Sequence, residues 1–301
     1  MTRSYPGLLV FLGAVWGASY LFIKVAVDDF APATMMALRL LIASAVLVPF
    51  LLLRLGPREG LGELRGAWRP GLMLGILNGA IPFTLIAWGE QHIDSGIAAV
   101  ANAAVPLFVV LLALRFKPSE RVTGLRLAGV LLGLVGVGVL AGAEPGGGVA
   151  YVAGTLAVVL AALAYAAGGL LGQSKVATTS GPVLATASML GGGLVLLPFA
   201  LLQLPDRMPS WEAIAAVVAL AVLGTTLAQL VYFRMLRLHG SSRTSLVTYL
   251  IPPVALVYGT LLLDEALTAA AIAGLALILI GVALGSGAVR SLRRAAFAGR
   301  A

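Results

Sequence analysis

The sequence predicts an all-α integral membrane protein, with ten transmembrane helices in two inverted five-helix repeats and both termini cytoplasmic. Three observations predict it. Of the 301 residues, 60% are apolar and 11% charged, with a mean hydropathy of +1.03. An average soluble domain is about one quarter charged, so water is not the main solvent of this chain. Apolar runs of about 20 residues, the length that crosses a bilayer as a helix, recur ten times. One stretch, Ser119 to Gly136, returns as Asp264 to Gly281, and each copy has a Glu, a Thr three residues on, and glycines nine and sixteen residues after the Glu.

The runs occupy roughly 6–25, 33–53, 70–89, 95–114, 122–141, 150–172, 182–203, 212–233, 243–263 and 268–288. Polar or Pro/Gly punctuation separates them, as at Asp28-Asp29, Gly56-Pro57, Glu144-Pro145-Gly146, Pro205-Asp206 and His239-Gly240, and no soluble domain fits between. The first run, Gly7 to Ile23 after Arg3, imitates a secretory signal peptide. It is long for one, however, and many similar spans follow.

Basic residues orient the bundle. With the N-terminus inside, all but three of the 20 Lys and Arg fall in cytoplasmic loops or the basic tail, residues 289–301. The exceptions are Lys24 and Arg207 outside and Arg39 within the second span. Short cytoplasmic loops are where Lys and Arg accumulate. A net charge of +8 raises nucleic acid as a partner, but the basic residues sit between apolar runs rather than with aromatics on a soluble face. The expected partners are the lipid bilayer and a small-molecule substrate; the sequence leaves the oligomeric state open.

The repeated stretch occupies the fourth-to-fifth and ninth-to-tenth span junctions. Five spans separate the copies, and a unit of odd span number re-enters the membrane from the opposite side, so the repeats, 1–143 and 149–288, are inverted. Ala104-Val105-Pro106 against Leu250-Ile251-Pro252, and Val48-Pro49-Phe50 against Leu197-Pro198-Phe199, match in the same order. The first junction is basic and the second has lost that charge, as their opposite sides require.

Trp16-Gly17-Ala18-Ser19 with Lys24, Leu38-Arg39-Leu40, Glu120-x-x-Thr123 and Glu265-x-x-Thr268 with their trailing glycines, in this order over roughly 7–288, resemble the EamA-type ten-helix members of the drug/metabolite transporter superfamily. The resemblance implies export of small metabolites, amino acids or drugs through a cavity between the two halves. In the second half the position answering Trp16 is best matched by Tyr165, and the inner end reads Gln173-Ser174-Lys175, so an aromatic is kept but its shape changes.

Glu120, Thr123, Glu265 and Thr268 lie at membrane surfaces, where helix-junction capping explains the spacing: the Thr accepts backbone N–H bonds and the Glu adds negative charge at a helix start. A functional role is the alternative. Asn78 and Asn102, the two Asn of the chain, fall within spans, as does Gln229; each amide needs a partner, either a neighbouring helix or a substrate. Arg39 lies on the order of 9 Å below the start of its span at about 1.5 Å per residue. Its cation must snorkel, pair or face water, which fits a structural anchor or a site for an anionic group. Trp16, Ser19, Trp88, Tyr165, Tyr232, Thr248 and Tyr249 complete the substrate-contact candidates. Trp88, near a span end, also suits an interfacial anchor.

Pro82, Pro106, Pro252 and Pro253 are the hinge or gating candidates. Each removes a ladder hydrogen bond within a span, and interruptions at matching positions of two halves point to a midplane site, an ordinary packing kink being the alternative. Gly13-x-x-x-Gly17, Gly71-x-x-x-Gly75-x-x-x-Gly79 and Gly129-x-x-x-Gly133 give narrow faces for close helix packing.

With no Cys and only His92 and His239, thiolate metal sites, disulfides and a cysteine nucleophile are excluded, and no metal or cofactor is expected. No P-loop, HExxH or GxSxG occurs, so an enzyme is not expected, and a secondary transporter working by alternating access fits best. All 12 Asp and Glu fall in loops or at span ends; the nearest proton carrier is Glu90, at the outer end of the third span. A membrane-embedded enzyme acting on lipid would need paired acid and base groups in the cavity, and a receptor or scaffold would not alternate its accessibility.

Overall fold

The computed structural model describes residues 5–116, 124–142, 148–176 and 179–285. Glu120, Thr123 and the tail 289–301 lie outside the described residues.

Every described regular element is helical. The first span is α1 (Tyr5–Ala26) and the second α2 (Pro32–Leu55), which starts on a proline whose missing N–H falls among the first-turn donors that a helix leaves unpaired anyway. A surface helix, α3 (Pro57–Gly66), fills what reads in sequence as a loop; it is polar and buries only Gly60, against Leu52. The third span is composite: α4 (Trp68–Gly75), a π-helical turn over Ile76–Ala80, then α5 (Ile81–Glu90). The fourth breaks into α6 (Ser95–Asn102) and α7 (Val105–Phe116), and α8 (Leu125–Ala141) is the fifth.

The second repeat follows the same plan. Its spans are α9 (Gly148–Val176), α10 (Gly181–Leu201), then α11 (Trp211–Ala221), a π segment over Val222–Leu227 and α12 (Ala228–His239) as one composite helix. The ninth span joins the short α13 (Ser241–Thr244), a 3₁₀ turn over Ser245–Tyr249 and α14 (Ile251–Leu262); α15 (Ala269–Gly285) is the tenth. Eight of these helical spans are long and apolar enough to cross a membrane. The other two, α8 and α15, have 17 residues each, about 25 Å of helix at 1.5 Å per residue.

Packing between the halves obeys a pseudo-two-fold exchange. Where α5 packs on α9, α12 packs on α1; where α4 packs on α9, α11 packs on α1; where α10 packs on α4, α2 packs on α11; where α1 packs on α14, α9 packs on α7; and α2–α10 and α8–α15 pair with their own counterparts. The arrangement leaves one end of the bundle rich in arginine (Arg54, Arg58, Arg65, Arg69, Arg237, Arg243) and the other rich in carboxylates (Asp28, Asp29, Asp94, Asp206, Asp264, Glu265). These are called the basic and acidic ends below.

Glycines set the closest contacts, as bilayer helices without large interdigitating side chains require. Gly13 and Gly17 lie against Leu250 and Val254, and Gly71 and Gly75 against Ala187, Ser188 and Gly192. The α8–α15 seam is equally unforgiving: a methyl on Gly281 would stand 2.6 Å from both the Gly129 carbonyl and the Gly133 nitrogen. Backbone cannot swing aside as a side chain can, so Gly281→Ala is expected to cost about 1–3 kcal/mol by forced separation of the helices. Gly138→Ala, with nothing within 4 Å, is expected to be neutral or stabilising by up to ~1 kcal/mol; thermal melts in detergent compare the two.

At the acidic end, Asp29 holds the start of α11. Its carboxylate accepts from the Ser210 hydroxyl and, at 2.9 Å, from the Ser210 N–H, while Ser210 Oγ accepts from Ala213 N at 3.2 Å as the helix N-cap. These Ser210 donors, with Arg207 3.6 Å away, hold the Asp29 carboxyl below its usual range. A depressed pKa gives stability that is full above the unfolded value and lost as pH falls through the folded one. The melting difference between the wild type and Asp29→Ala is therefore expected to be largest near neutrality and to close below about pH 4.

Candidate functional site

The helix interruptions converge on one region between the repeats. Pro106 is the second residue of α7 and Pro252 the second of α14, so each missing N–H falls at a helix start. The two π segments are also repeat-related: Ile76 and Val222 are as far apart in the chain as Pro106 and Pro252. The first precedes Pro82. The second has no proline; there Thr225 Oγ1 donates to Leu220 O (3.1 Å) and Thr226 Oγ1 to Ala221 O (3.0 Å), supplying carbonyls with donors inside the widened turn. Single π turns inside α-helices are frequent at functional sites.

The α5–α6 corner is clasped from two sides. Lys24 Nζ donates to the carbonyls of Glu90 (2.8 Å) and Ile93 (2.9 Å), a cation on the last turn of α5. Glu265 accepts from Ser95 N (2.8 Å), Ser95 Oγ (2.9 Å) and Gly96 N (3.1 Å), an anion on the first turn of α6. This corrects the expectation that Glu265 serves the helix that follows it. Thr268 does that, its Oγ1 accepting from Ala271 N at 3.1 Å, while Glu265 crosses to the other repeat. Asp264, at φ 55°, turns the chain, and Gly259 leaves room: a Cβ there would collide with the Glu265 carboxylate and lie 3.0 Å from Ser95 Oγ.

Between these devices lies a cavity of about 410 Å³, within the range of about 300–1,000 Å³ of ligand sites. It brings together Trp16, Ser19, Arg39, Asn78, Asn102, Pro106, Tyr165, Gln229, Tyr232, Thr248, Tyr249 and Pro252. The tenth span, which offered no substrate-contact candidate in the sequence, also reaches it, through Leu279. Three candidates fall outside. Trp88 is 38% exposed and packs its ring on His92 at 4.5 Å, whose Nδ1 meets Trp88 O at 2.9 Å; it lies two residues past the cavity-lining Ile86, about 200° around the helix. Pro82 is buried without reaching the cavity, and Pro253 is exposed.

Polar groups sit where the low-dielectric interior makes them matter. Arg39, 5% exposed, donates from Nε to Thr225 Oγ1 at 2.9 Å, places Nη1 4.0 Å from the Met36 sulfur, and lays its guanidinium 3.8 Å from the Phe83 ring centroid, a cation–π contact. Phe83 in turn meets Tyr165 edge-on at 6.2 Å. Asn102 donates from Nδ2 to Tyr20 OH at 2.8 Å, and its Oδ1 is buried with no hydrogen-bond partner. Asn78 lies against Gly168, and Ser19, donating to Val15 O at 3.3 Å, lies against Gly224. Trp16 and Tyr232 pair at 5.6 Å.

Sequence reasoning passed over Tyr20 and Thr225. Tyr20 is one helical turn from Trp16, a spacing that places both on one face; Thr225 carried no comparable signal, since its role is to orient Arg39 from another helix.

The chain belongs to the EamA-like transporter family, which matches it twice, over residues 5–142 and 152–287. It is a multi-pass membrane transporter of that family. It is 29% identical over 281 residues to the uncharacterized inner membrane transporter YedA of Escherichia coli K12, covering 92% of this chain and 89% of that one. It is 30% identical over 283 residues to a probable terminal-alkyne amino-acid exporter of Streptantibioticus cattleyicolor, covering 92% and 91%. A crystal structure at 23% identity superposes with a TM-score of 0.65, covering 97% of this chain and 99% of the other, and shares the fold.

Thr225→Val is expected to strand the Arg39 Nε–H and to lower stability by about 1–3 kcal/mol in thermal melts, whereas Thr225→Ser, which keeps the acceptor, should melt close to wild type.

Proposed function

We propose that the chain is a secondary transporter of the inner membrane that exports small amphipathic solutes, amino acids foremost, by alternating access through the cavity between its repeats. The observation that carries this reading is the pairing of chemistries on the cavity wall: the buried guanidinium of Arg39 offers a carboxylate partner, and Asn102 Oδ1 is an acceptor without a donor. Aromatic and aliphatic walls around them suit an amphipathic body. A multiply charged anion is disfavoured, since Arg39 is the sole cation among the lining residues.

The similarity to an amino-acid exporter supports the substrate class and the direction, and that to YedA the membrane. The arginine-rich loops support a cytoplasmic basic end. The clasped α5–α6 corner and the repeat-related breaks support rocking of one half against the other.

The chain is Cys-free, which makes accessibility simple to test. Thiols introduced as Ala103→Cys and Thr248→Cys are expected to react with an impermeant maleimide from either side of the membrane in turn, with solute shifting the balance. Reconstituted protein is expected to move radiolabelled amino acids, and Arg39→Gln to reduce that movement to the level of protein-free liposomes. Labelling fixed to one side, or no flux of any amino acid tested, would overturn the proposal.

A further inference from the structure

Among the described residues, Glu90 is the one charged residue that the transport reading has not used and that the fold hides completely. It is the last residue of α5, at 0% exposure, and both of its carboxyl oxygens are buried without a hydrogen-bond partner. Its backbone carbonyl, by contrast, is held by Lys24. A buried carboxylate with no donor on either oxygen is costly, and a proton removes the charge. The carboxyl follows Ile86 by one helical turn, and Ile86, Tyr20 and Arg39 all line the cavity, so Glu90 stands between that cavity and the clasp that shuts the acidic end.

We infer that Glu90 is a proton-binding site, and that its proton couples the transport cycle to a proton gradient. The charged and titratable groups around it are Lys24 and Tyr20 from α1, Arg39 from α2, and Glu265 from the turn before α15. Packed against α5, α6 brings Ser95 with Asp94 ahead of it, and α9 brings Tyr151 and Tyr165. When the acidic end opens, Lys24 and Glu265 leave the corner and Glu90 takes a proton from the water on that side. Closure buries the neutral acid, the form in which two unpartnered oxygens are tolerated. Release goes into the cavity, to water, when a solute ammonium settles on Asn102 Oδ1 beside Tyr20; the carboxylate left behind is neutralised by Lys24, swinging off the Glu90 and Ile93 carbonyls. Proton and solute thus exchange, one entering as the other leaves.

This coupling rests on the proposed transport reading, but proton binding can be measured without a substrate. Infrared difference spectra of the purified chain, titrated with alkali, are expected to show the C=O stretch of a protonated buried carboxyl disappearing, and Glu90→Gln to lack that band while melting near wild type. In proteoliposomes given a mixture of radiolabelled neutral amino acids, the wild type is expected to accumulate label under an imposed pH gradient. Glu90→Gln, a permanent mimic of the neutral acid, should still exchange label for unlabelled amino acid but should not accumulate it. A wild type without a Glu90-dependent band, or Glu90→Gln that accumulates as well as wild type, overturns the inference. A Glu90-dependent band in a chain that moves none of the amino acids supports the proton site and instead counts against the amino-acid reading.

Discussion

Hydrocarbon offers no partner to a free N–H or C=O, so any helix break at membrane depth must be repaired by the chain itself. The rest of this structure depends on that constraint. A cavity needs breaks, because unbroken apolar cylinders pack shut, and each break here has its own repair. Pro106 and Pro252 stand at helix starts where no donor is missed, Thr225 and Thr226 fill the second π segment, and Lys24 and Glu265 cover the two helix ends at the α5–α6 corner. Thr225 serves twice, donating to Leu220 O while accepting from Arg39. The repair of a backbone and the placing of a cation are thus one residue's work.

The cavity follows from where these repairs fall. Interruptions in the third, fourth, eighth and ninth spans lie at matched positions of the two repeats, and side chains near them point into the same space. Polar groups there are few and supported from the side: Arg39 by Thr225 and Phe83, Asn102 by Tyr20. A site held by neighbours on several helices can change when the helices move, and this is the physical link between the fold and transport.

Much of this was legible in the sequence, and the rest was hidden for identifiable reasons. Spans show as apolar runs because lipid tolerates little else, and the breaks before Pro106 and Pro252 show because proline cannot donate. The repeat showed through Glu-x-x-Thr and its glycines. The second π segment did not show, since Val222–Leu227 contains no helix breaker. Glu265 was read as a local cap because its reach to Ser95 depends on tertiary folding, and α3 was missed because its polar sequence resembles a loop. Trp88 was offered to a substrate although its side of α5 faces away from the cavity. Face, unlike depth, cannot be read from position in a span when a π turn has shifted the register.

The α8–α15 seam has a consequence for how such a chain can be assembled. Gly129 and Gly133 lie against Gly281 and Gly285, residues of the matching helix in the other half, so the surface is its own complement after inversion. One half alone already carries the contact that closes the pair. A gene for a single half would therefore need its product inserted in both orientations, in equal amounts, to build the same seam. Fusion of the two halves fixes that ratio in one polypeptide and leaves each copy free to diverge, so that by the Pro49–Pro198 match the buried Arg39 of the second span answers to a serine, Ser188, in the seventh.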